Sequence, residues 1–496
     1  METPAEAHLS HAPSRGFFPP SLQPPSGRPT LTPSQKTLPR VLIVSPHWPP
    51  LNAPDLQRAR MSLPYYRAAG WEPVVLTVDE RRQEGIREPE LLQTIPADIE
   101  VHRTGALPLQ WTRWLGLTNL GLRAWLPLFF AGRRLIRERR IDLVFLTNTQ
   151  FVTFLLGRCW LRWCGVPYVI DVQDPWRTDY YERPGSRRPP GGWKYQAARF
   201  MAWWFEGWSF RRVAGVMSVS PRYLDDLRTR YPRLHEVPAA VIGFGASRED
   251  HARAVSLPPP AHRYSRDRGE LHLLYTGASG PILPHALNVL FDGLRAYRER
   301  APERARRLRF HFLGTSYVAP GRGKNSVLPV AEKHGVADQV TEIPHRLGHL
   351  ECLRLQIDSD LLLLPGSSDL AYSPSKLYAY YLANRPMLAL VFRGSVLEKL
   401  LDDLNCAVMV RFHENEAPDA ARAALAACFD SALDGFPAGS LPPRNDEVFN
   451  RRYLADTLTR AQCDLFNRAL AIPGKTGFLT PPQGSTPEHR SQDDFH

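Results

Sequence analysis

Order in the hydrophobic pattern begins at RVLIVSPHWPP (40–50), an apolar strand run followed by a proline-rich turn. A helical period from Asp55 to Ala69, then Gly70 and the apolar run PVVLTV (73–78), complete a strand–helix–strand unit. Continuous apolar strands alternating with helices predict a parallel sheet covered on both faces. The alternation continues through DLVFLT (142–147), a helix over 150–164, YVIDV (168–172) and an aromatic helix over 194–212. GVMSVS (215–220), a helix ending near Tyr231 and AAVIGFG (239–245) close this first series. The stretch GASREDHARAVSLPPPAHRYSRDRGE (245–270) is polar, proline-bearing and non-periodic, which predicts a linker. A second series follows: LHLLYTG (271–277), a helix over 283–300, LRFHFLG (308–314), a helix over 327–335 and QVTEI (339–343). It runs on through a helix over 350–357, DLLLLPG (360–366), the helix of SPSKLYAYYLANRPMLAL (373–390), PMLALV (386–391) and CAVMV (406–410). Helices over 394–404, 417–434 and 446–470 complete it.

The expected fold is α/β, with two doubly wound Rossmann-like domains facing a cleft. The expected division is a Pro-rich disordered tail (1–38), an N-terminal domain (39–245), a linker (246–270), a C-terminal domain (271–445), a C-terminal helix packing back on the N-domain (446–471) and a disordered tail (472–496). In such sheets ligands sit at the carboxyl ends of the strands, so the cleft is the expected site.

Composition adds little to this and removes several options. The chain is 43% hydrophobic and 23% charged, ordinary for a globular protein. No apolar run approaches the ~20 residues of a membrane span; WLPLFFAG (125–132) is typical of the longest. The N-terminus has no basic segment followed by an apolar core, so a cytoplasmic location is expected. Six cysteines are scattered, and Cys159 and Cys164 lack the second pair or nearby histidines a zinc site needs. The net charge is +12, concentrated at 103–140, where eight arginines face one glutamate among Trp111, Trp114, Trp125, Phe129 and Phe130. Arginines interleaved with aromatics suit an anionic membrane surface, and equally a solvated basic face. No zinc-finger, RNP-type or basic-zipper pattern points to nucleic acid.

Several motifs lie at strand ends. G-x-G-x-x-G is absent after the first strand, and GRGKN (321–325) is no P-loop, because Val318 and Asn325 stand where Gly and Ser or Thr are needed. YTGASG (275–280) and FLGTS (312–316) are small-residue turns whose amides could approach a phosphate, or simply tight strand–helix turns. In SPSKLYAYYL, Ser373 or Ser375 can cap the helix, and Lys376 falls in the first turn, where the helix dipole disfavours a cation. Lysines are only seven of the 62 basic residues, and a compact cation suits a phosphate contact. In YVIDVQDPWRTDYY (168–181), Asp171, Asp174, Trp176 and Arg177 gather at a strand end, as in a sugar-binding wall or an Asx-Pro turn.

Taken in order, these landmarks resemble the GT-B nucleotide-sugar glycosyltransferases, specifically the retaining group called family 4. PHWPPLNAPDLQRARMSLPYYRAAGWEPVVLT is similar to that family's opening strand, Pro-Pro loop and helix, and DVQDPW to the Asp-Phe-Arg-Asp-Pro-Trp of a subgroup acting in surface-polysaccharide assembly. VMSVSPRYLDDL, AAVIGFGA, LLYTGASG, RFHFLG, IDSDLLLLPG and SPSKLYAYYLANRPMLAL continue the resemblance over about 40–470. It implies a donor site in the C-terminal domain, formed by Thr276, Gly277, Ser279, Gly314, Arg346, Ser373, Ser375, Lys376 and Tyr378, with Arg346, Lys324 or Lys376 standing in for a missing basic pair. It implies an acceptor side of Pro50, Asp171, Trp176 and Arg177, with Asp174 as the catalytic candidate. The family's Glu-x7-Glu falls on Ala371 and Ala379, so Ala379→Glu is expected to strengthen donor binding; Gln173 replaces a His or Arg.

The resulting expectation is a retaining, metal-independent glycosyltransferase in surface polysaccharide or glycoconjugate synthesis. Its partners would be a nucleotide diphosphate sugar as co-substrate, a glycan or lipid-linked acceptor and a membrane surface touched through 103–140, with no cofactor and no nucleic acid. The alternatives are a catalytically degenerate GT-B protein acting as a binding or partner subunit, and a nucleotide-sugar epimerase using His345 and Asp174.

Overall fold

A computed structural model of the chain describes residues 37–114, 118–177, 193–265, 269–279, 283–316, 318, 321, 323–370, 372–413 and 416–471. Apart from residues 37 and 38, the two segments expected to be disordered tails lie outside these.

The first lobe runs β1 (Arg40–Val44), α1 (Gln57–Ser62), β2 (Glu72–Val78), β3 (Glu100–Thr104), α2 (Leu109–Trp114), α3 (Leu120–Glu138) and β4 (Leu143–Thr147). It continues through α4 (Phe154–Cys164), β5 (Tyr168–Val172), α5 (Trp193–Phe210), β6 (Gly215–Ser218), α6 (Pro221–Arg230) and β7 (Ala239–Val241). After α7 (Arg248–Ser256), the second lobe runs β8 (Leu271–Thr276), α8 (Pro284–Arg300), α9 (Pro302–Ala305), β9 (Leu308–Leu313), α10 (Leu328–Lys333) and β10 (Val340–Ile343). Then come α11 (His349–Asp358), β11 (Leu361–Pro365), α12 (Lys376–Ala383), β12 (Met387–Phe392), α13 (Val396–Leu404) and β13 (Val408–Phe412). The chain ends on α14 (Asp419–Leu433), α15 (Asp446–Tyr453) and α16 (Ala455–Leu470).

Two all-parallel sheets result, ordered β3-β2-β1-β4-β5-β6-β7 and β10-β9-β8-β11-β12-β13. Each reverses direction once, between β1 and β4 and between β8 and β11, and such a switch point leaves a crevice at the carboxyl ends of the two strands. The central strands are apolar throughout because both faces are covered. In the first sheet Leu42, Val44, Leu146 and Ile170 pack under the α3–α4 layer, while Val41, Ile43, Phe145 and Val169 pack under α1 and α16. α16 belongs to that lobe by contact: Trp71 Nε1 donates to Asn467 Oδ1 (3.1 Å), and Gln462 meets the Tyr66 hydroxyl.

Three expectations shift. The helix expected over 55–69 is α1 flanked by 3-10 turns, because Pro64 has no N–H to continue the ladder. The helix expected over 446–470 breaks at Leu454, where the chain crosses Ala246 with Ala246 N–H on Tyr453 O and Ala455 N–H on Ala246 O, each 3.0 Å. Only glycine fits beside that crossing, since a Cβ at Gly245 would stand 2.3 Å from the Tyr453 carbonyl oxygen. The linker itself contains α7. Ser247 caps it by accepting from Asp250 N–H, and tertiary ion pairs rather than apolar period hold it in place.

Those ion pairs join the lobes. Arg60 on α1 meets Asp250 through both terminal nitrogens (2.7 and 2.5 Å), and His349 Nε2 meets the same carboxylate at 2.9 Å. Burial alone would raise the Asp250 pKa, but Arg60 and then His349 hold it well below the usual carboxylate range. Glu88 of the first lobe accepts from the His349 and Leu350 N–H groups (2.6 and 2.7 Å) and so caps α11 of the second. Asn52 donates to Leu347 O (3.2 Å) and accepts from Arg346 (3.0 Å).

Candidate functional site

The two switch points place different chemistry on the two sides of the cleft. On the second lobe, β8 ends at Thr276, whose N–H donates to the Tyr380 hydroxyl (2.8 Å) and whose Oγ1 accepts from Gln356 (2.9 Å). The next residue, Gly277, has φ +117, a conformation that favours glycine, and a Cβ there would stand 3.0 Å from Lys376 Nζ. Lys376 opens α12 and folds back over β8: its amine donates to the Tyr275 hydroxyl and lies 3.9 Å from the Tyr275 ring centroid. Tyr275 donates its own proton to Ala278 O (2.7 Å), so its oxygen is the acceptor towards Lys376.

Three terms work against the Lys376 cation. Burial brings its pKa down to about 7, the α12 dipole is positive at its N-terminus, and no carboxylate pairs with it among the described residues. An anion bound at this point would supply the missing counter-charge and interact favourably with the positive end of the α12 dipole.

The glycine turns act differently from the expectation. The Gly277 and Ser279 N–H groups already donate to Leu313 O and Thr315 O (2.9 and 3.0 Å), and Gly314 N–H to Ile343 O (2.8 Å). These amides staple neighbouring strand ends together and offer nothing to a phosphate. Gly277 instead makes room for the lysine, and Ser279 is buried against Ser326. Ser375 stands at the helix start with helical dihedrals and makes no capping bond, against the capping expected of it. Ser373 and Ser375 are exposed, and Ser373 bonds the Tyr378 side chain. Tyr378 turns away from the cleft and stacks on Tyr453 at 4.7 Å. Arg346 reaches Asn52 across the lobes.

Ala371 lies outside the described residues. Ala379 packs against an apolar cluster of Leu91, Ala254, Leu350 and Leu353, and its carbonyl accepts from His251 Nε2 (3.0 Å). A glutamate there would push its carboxylate into apolar surroundings instead of reaching a ribose. Contrary to the sequence expectation, Ala379→Glu should destabilise the protein by about 1 kcal/mol, the low end for an unsatisfied polar group because Ala379 is half-buried, with no gain in nucleotide affinity; a melting curve with and without nucleoside diphosphate checks both.

On the first lobe, β1 leads into His47, whose Nδ1 lies 2.9 and 3.0 Å from the two oxygens of Asp55. Asp55 also accepts from the N–H and Oγ1 of Thr149 after β4 (3.3 and 3.0 Å). Burial raises the Asp55 pKa, but His47 and then Thr149 outweigh it and leave a carboxylate with a depressed pKa. The bonded Nδ1 edge leaves the His47 Nε2 edge facing the opposite way. Asp174 is exposed at the end of β5; its pKa is raised, first by partial desolvation and then by the charge of Asp55. Tyr223 on α6 lies within the influence of both Asp174 and Asp369, and Asp369 sits in the second-lobe loop that leads to Lys376. The Asp174 side and the Lys376 loop therefore face each other.

The other acceptor-side candidates divide. Trp176 stacks on Phe151 (5.6 Å) and lines a pocket with Asp174, Phe154, Glu206 and Tyr223. Arg177 bonds the Tyr231 side chain and moderates the raised pKa of Glu206. Pro50 is buried, and its carbonyl accepts from Glu88 N–H (2.7 Å), so it shapes the loop that caps α11. Asp171 is wholly buried: it pairs with Arg58 Nε (3.1 Å) and accepts from Thr147 Oγ1 (2.8 Å) and Gln173 Nε2 (3.0 Å). Arg58 in turn donates to the Ile242 and Gly243 carbonyls of the interlobe turn (2.8 and 3.2 Å). Asp171 and Gln173 therefore belong to the core network behind the cleft wall and face no acceptor.

Reasoning from sequence missed His47, Asp55, Thr149 and Tyr275. The one available signal was position: His47 and Thr149 lie just past the carboxyl ends of β1 and β4, and Tyr275 is the last residue but one of β8, whereas nothing marked Asp55.

Two facing parallel-sheet lobes, with their switch points and charged groups at one cleft, define the GT-B fold. Residues 57–245, the first lobe from α1 to the turn after β7, match the family model described as a glycosyl transferase 4-like domain. No curated protein sequence matches the chain at a significant level. Among solved structures the chain is similar to Anabaena HepE, determined in complex with UDP-glucose, at 13% identity and TM-score 0.53 over 86% of this chain and 99% of that one. It is also similar to sucrose-phosphate synthase from Thermosynechococcus elongatus, at 12% identity and TM-score 0.51 over 87% and 99%. A third similarity is to the N-terminal domain of Candida albicans trehalose-6-phosphate phosphatase, at 10% identity and TM-score 0.52 over 89% and 98%. The protein is thus glycosyltransferase-like in fold and in the family model its first lobe matches.

Proposed function

We propose that the protein transfers a sugar from a nucleotide diphosphate donor to a glycan or lipid-linked acceptor in surface polysaccharide or glycoconjugate synthesis. The observation that carries this reading is Lys376, a desolvated amine with no carboxylate partner among the described residues, seated over Gly277 at the second lobe's switch point. In the proposed reaction the bond between the anomeric carbon and the diphosphate breaks, and negative charge grows on the leaving oxygen. Lys376 and the first turn of α12 meet that charge, so the proposal needs no metal. An acceptor hydroxyl forms the new bond from the side of Asp174, which accepts its hydrogen bond, and the released proton leaves on the diphosphate. Retention of configuration is proposed on the resemblance to family 4.

A thermal-shift panel of nucleoside diphosphates tests the donor half. At least one should raise the melting temperature, and Asp174→Asn should keep that shift while losing sugar transfer. Stabilisation by none of them would remove the reading.

A second reading, a binding subunit without turnover, is favoured by Ala379 in its apolar cluster and by Glu88 on the α11 amides. It predicts nucleotide binding with no donor consumed. The epimerase alternative gains no support: His345 lines a groove with Arg346, Gly348 and Glu351, whereas Asp174 lines the pocket with Trp176 and Glu206.

A further inference from the structure

The first lobe carries a surface that the reaction above does not use. β3→β4, β4→β5 and β5→β6 all cross the sheet in the same direction, so the right-handed rule puts α3, α4 and α5 side by side on one face. Contacts confirm the row: Phe129 of α3 meets Trp163 of α4 at 5.0 Å, and Arg158 of α4 lies 4.4 Å over the Trp208 ring of α5 while donating to its carbonyl (2.9 Å). The inner side of the row packs on the sheet through Leu128, Leu135, Leu156, Trp160 and Phe210.

Its outer side is unusual. Leu126 and Phe130 on α3, Trp163 on α4, and Phe200, Met201, Trp203 and Trp204 on α5 are all exposed, most of them by more than half, with Trp203 and Trp204 each 57% exposed. Among the described residues, every exposed tryptophan and phenylalanine lies on α2, α3, α4 or α5. Scattered apolar residues on a surface need no explanation, but an aromatic cluster on adjacent helices does. The charges around it are mainly basic, and the one acid on α3, Glu138, is paired with Arg134. Arg137 and Arg140 flank the α3 stripe, Arg162 lies beside Trp163, and Arg211 and Arg212 follow α5; none of the five pairs with a carboxylate among the described residues.

We infer that this face seats on an anionic lipid bilayer, with the tryptophans and phenylalanines at the headgroup level and the arginines against the lipid charge. Tryptophan is the residue of water–bilayer interfaces, having an apolar body and one N–H, and basic residues add electrostatic attraction to anionic lipid. Charge complementarity selects this occupant over a second copy of the chain, whose own face would bring arginines against arginines. No helix among the described residues is long and apolar enough to cross a membrane, so contact is interfacial. α5 also links the surface to the site: its inner residues Glu206 and Phe210 line the pocket that holds Asp174 and Trp176. An acceptor carried on a lipid would reach Asp174 from the bilayer; that last step rests on the transferase reading, whereas the surface itself does not.

Flotation of the full chain with vesicles tests it. Binding to phosphatidylglycerol–phosphatidylethanolamine vesicles is expected, with little to pure phosphatidylcholine and a blue shift of tryptophan emission on binding. A Trp203→Ser/Trp204→Ser variant should bind at least tenfold more weakly, and so should Arg137→Gln/Arg162→Gln, each with an unchanged melting temperature. No binding to anionic vesicles, or binding that both variants retain, overturns the inference. So does a dimer in solution that the tryptophan variant converts to monomer, because the face would then belong to a second copy. Vesicle binding without any nucleotide shift leaves the surface standing and removes the donor reading alone.

Discussion

Lys376→Met is expected to abolish the nucleotide-induced thermal shift and to lower sugar transfer by roughly 10²–10³-fold, the range for removing one preorganised donor to a developing oxyanion. The same variant should be no less stable than the parent. A lysine whose folded pKa is about 7 binds fewer protons in the native state than in the unfolded chain as pH rises from there towards the ordinary lysine value. The parent therefore gains stability over that interval, and below it the full burden of the buried cation is present. Melting temperatures of the two proteins should differ in favour of methionine near neutral pH and converge in alkaline buffer. Nucleotide affinity of the parent should fall as pH rises through about 7, because the anion needs the protonated amine. A lysine that merely supports the fold gives the opposite pattern: loss of stability at every pH and no selective loss of nucleotide.

Asp171→Ala should be the most destabilising substitution in the first lobe. It strands the Arg58 guanidinium in the core, and breaking a buried pair in this way costs about 3–5 kcal/mol. For a lobe of this size that is on the order of 10 °C in melting temperature. Burial raises the Asp171 pKa while Arg58, Thr147 and Gln173 pull it back, so the pair holds itself in balance without solvent. Asp171→Leu combined with Arg58→Met should recover part of the loss, since replacing both partners leaves no unpaired charge. An Asp171→Ala protein that melts normally yet loses acceptor affinity would restore Asp171 to the acceptor side.

How far the sequence could be read follows from these residues. Parallel strands buried on both faces write themselves as unbroken apolar runs, and RVLIV, YVIDV and MLALV stand within a residue or so of β1, β5 and β12. α7 was illegible because its support is not periodic; Arg60 and His349, far away in the chain, hold Asp250 in place. Asp171 and Asp174 share one motif, and nothing in that motif shows that one faces the core and the other the cleft. The deciding partner, Arg58, lies on another helix. The glycine turns were legible as turns, but the destination of their amides depends on the register of β8 against β9 and of β9 against β10. α5 is apolar nearly all round, so its period could not reveal an exposed aromatic side. Lys376 was the exception: its awkward place at a helix start was visible in the sequence, and the structure supplies the tyrosine and glycine that receive it.

The most direct measurement is the release of nucleoside diphosphate from a panel of nucleotide sugars, followed in parallel for the parent and for Lys376→Met. The expected result is that the parent consumes one donor, faster when acceptor is present, and that the methionine variant leaves it intact. A parent that neither consumes any donor nor binds any nucleotide, or a variant that turns donor over at the parent's rate, would contradict the assignment of Lys376 as the diphosphate contact of a glycosyltransferase.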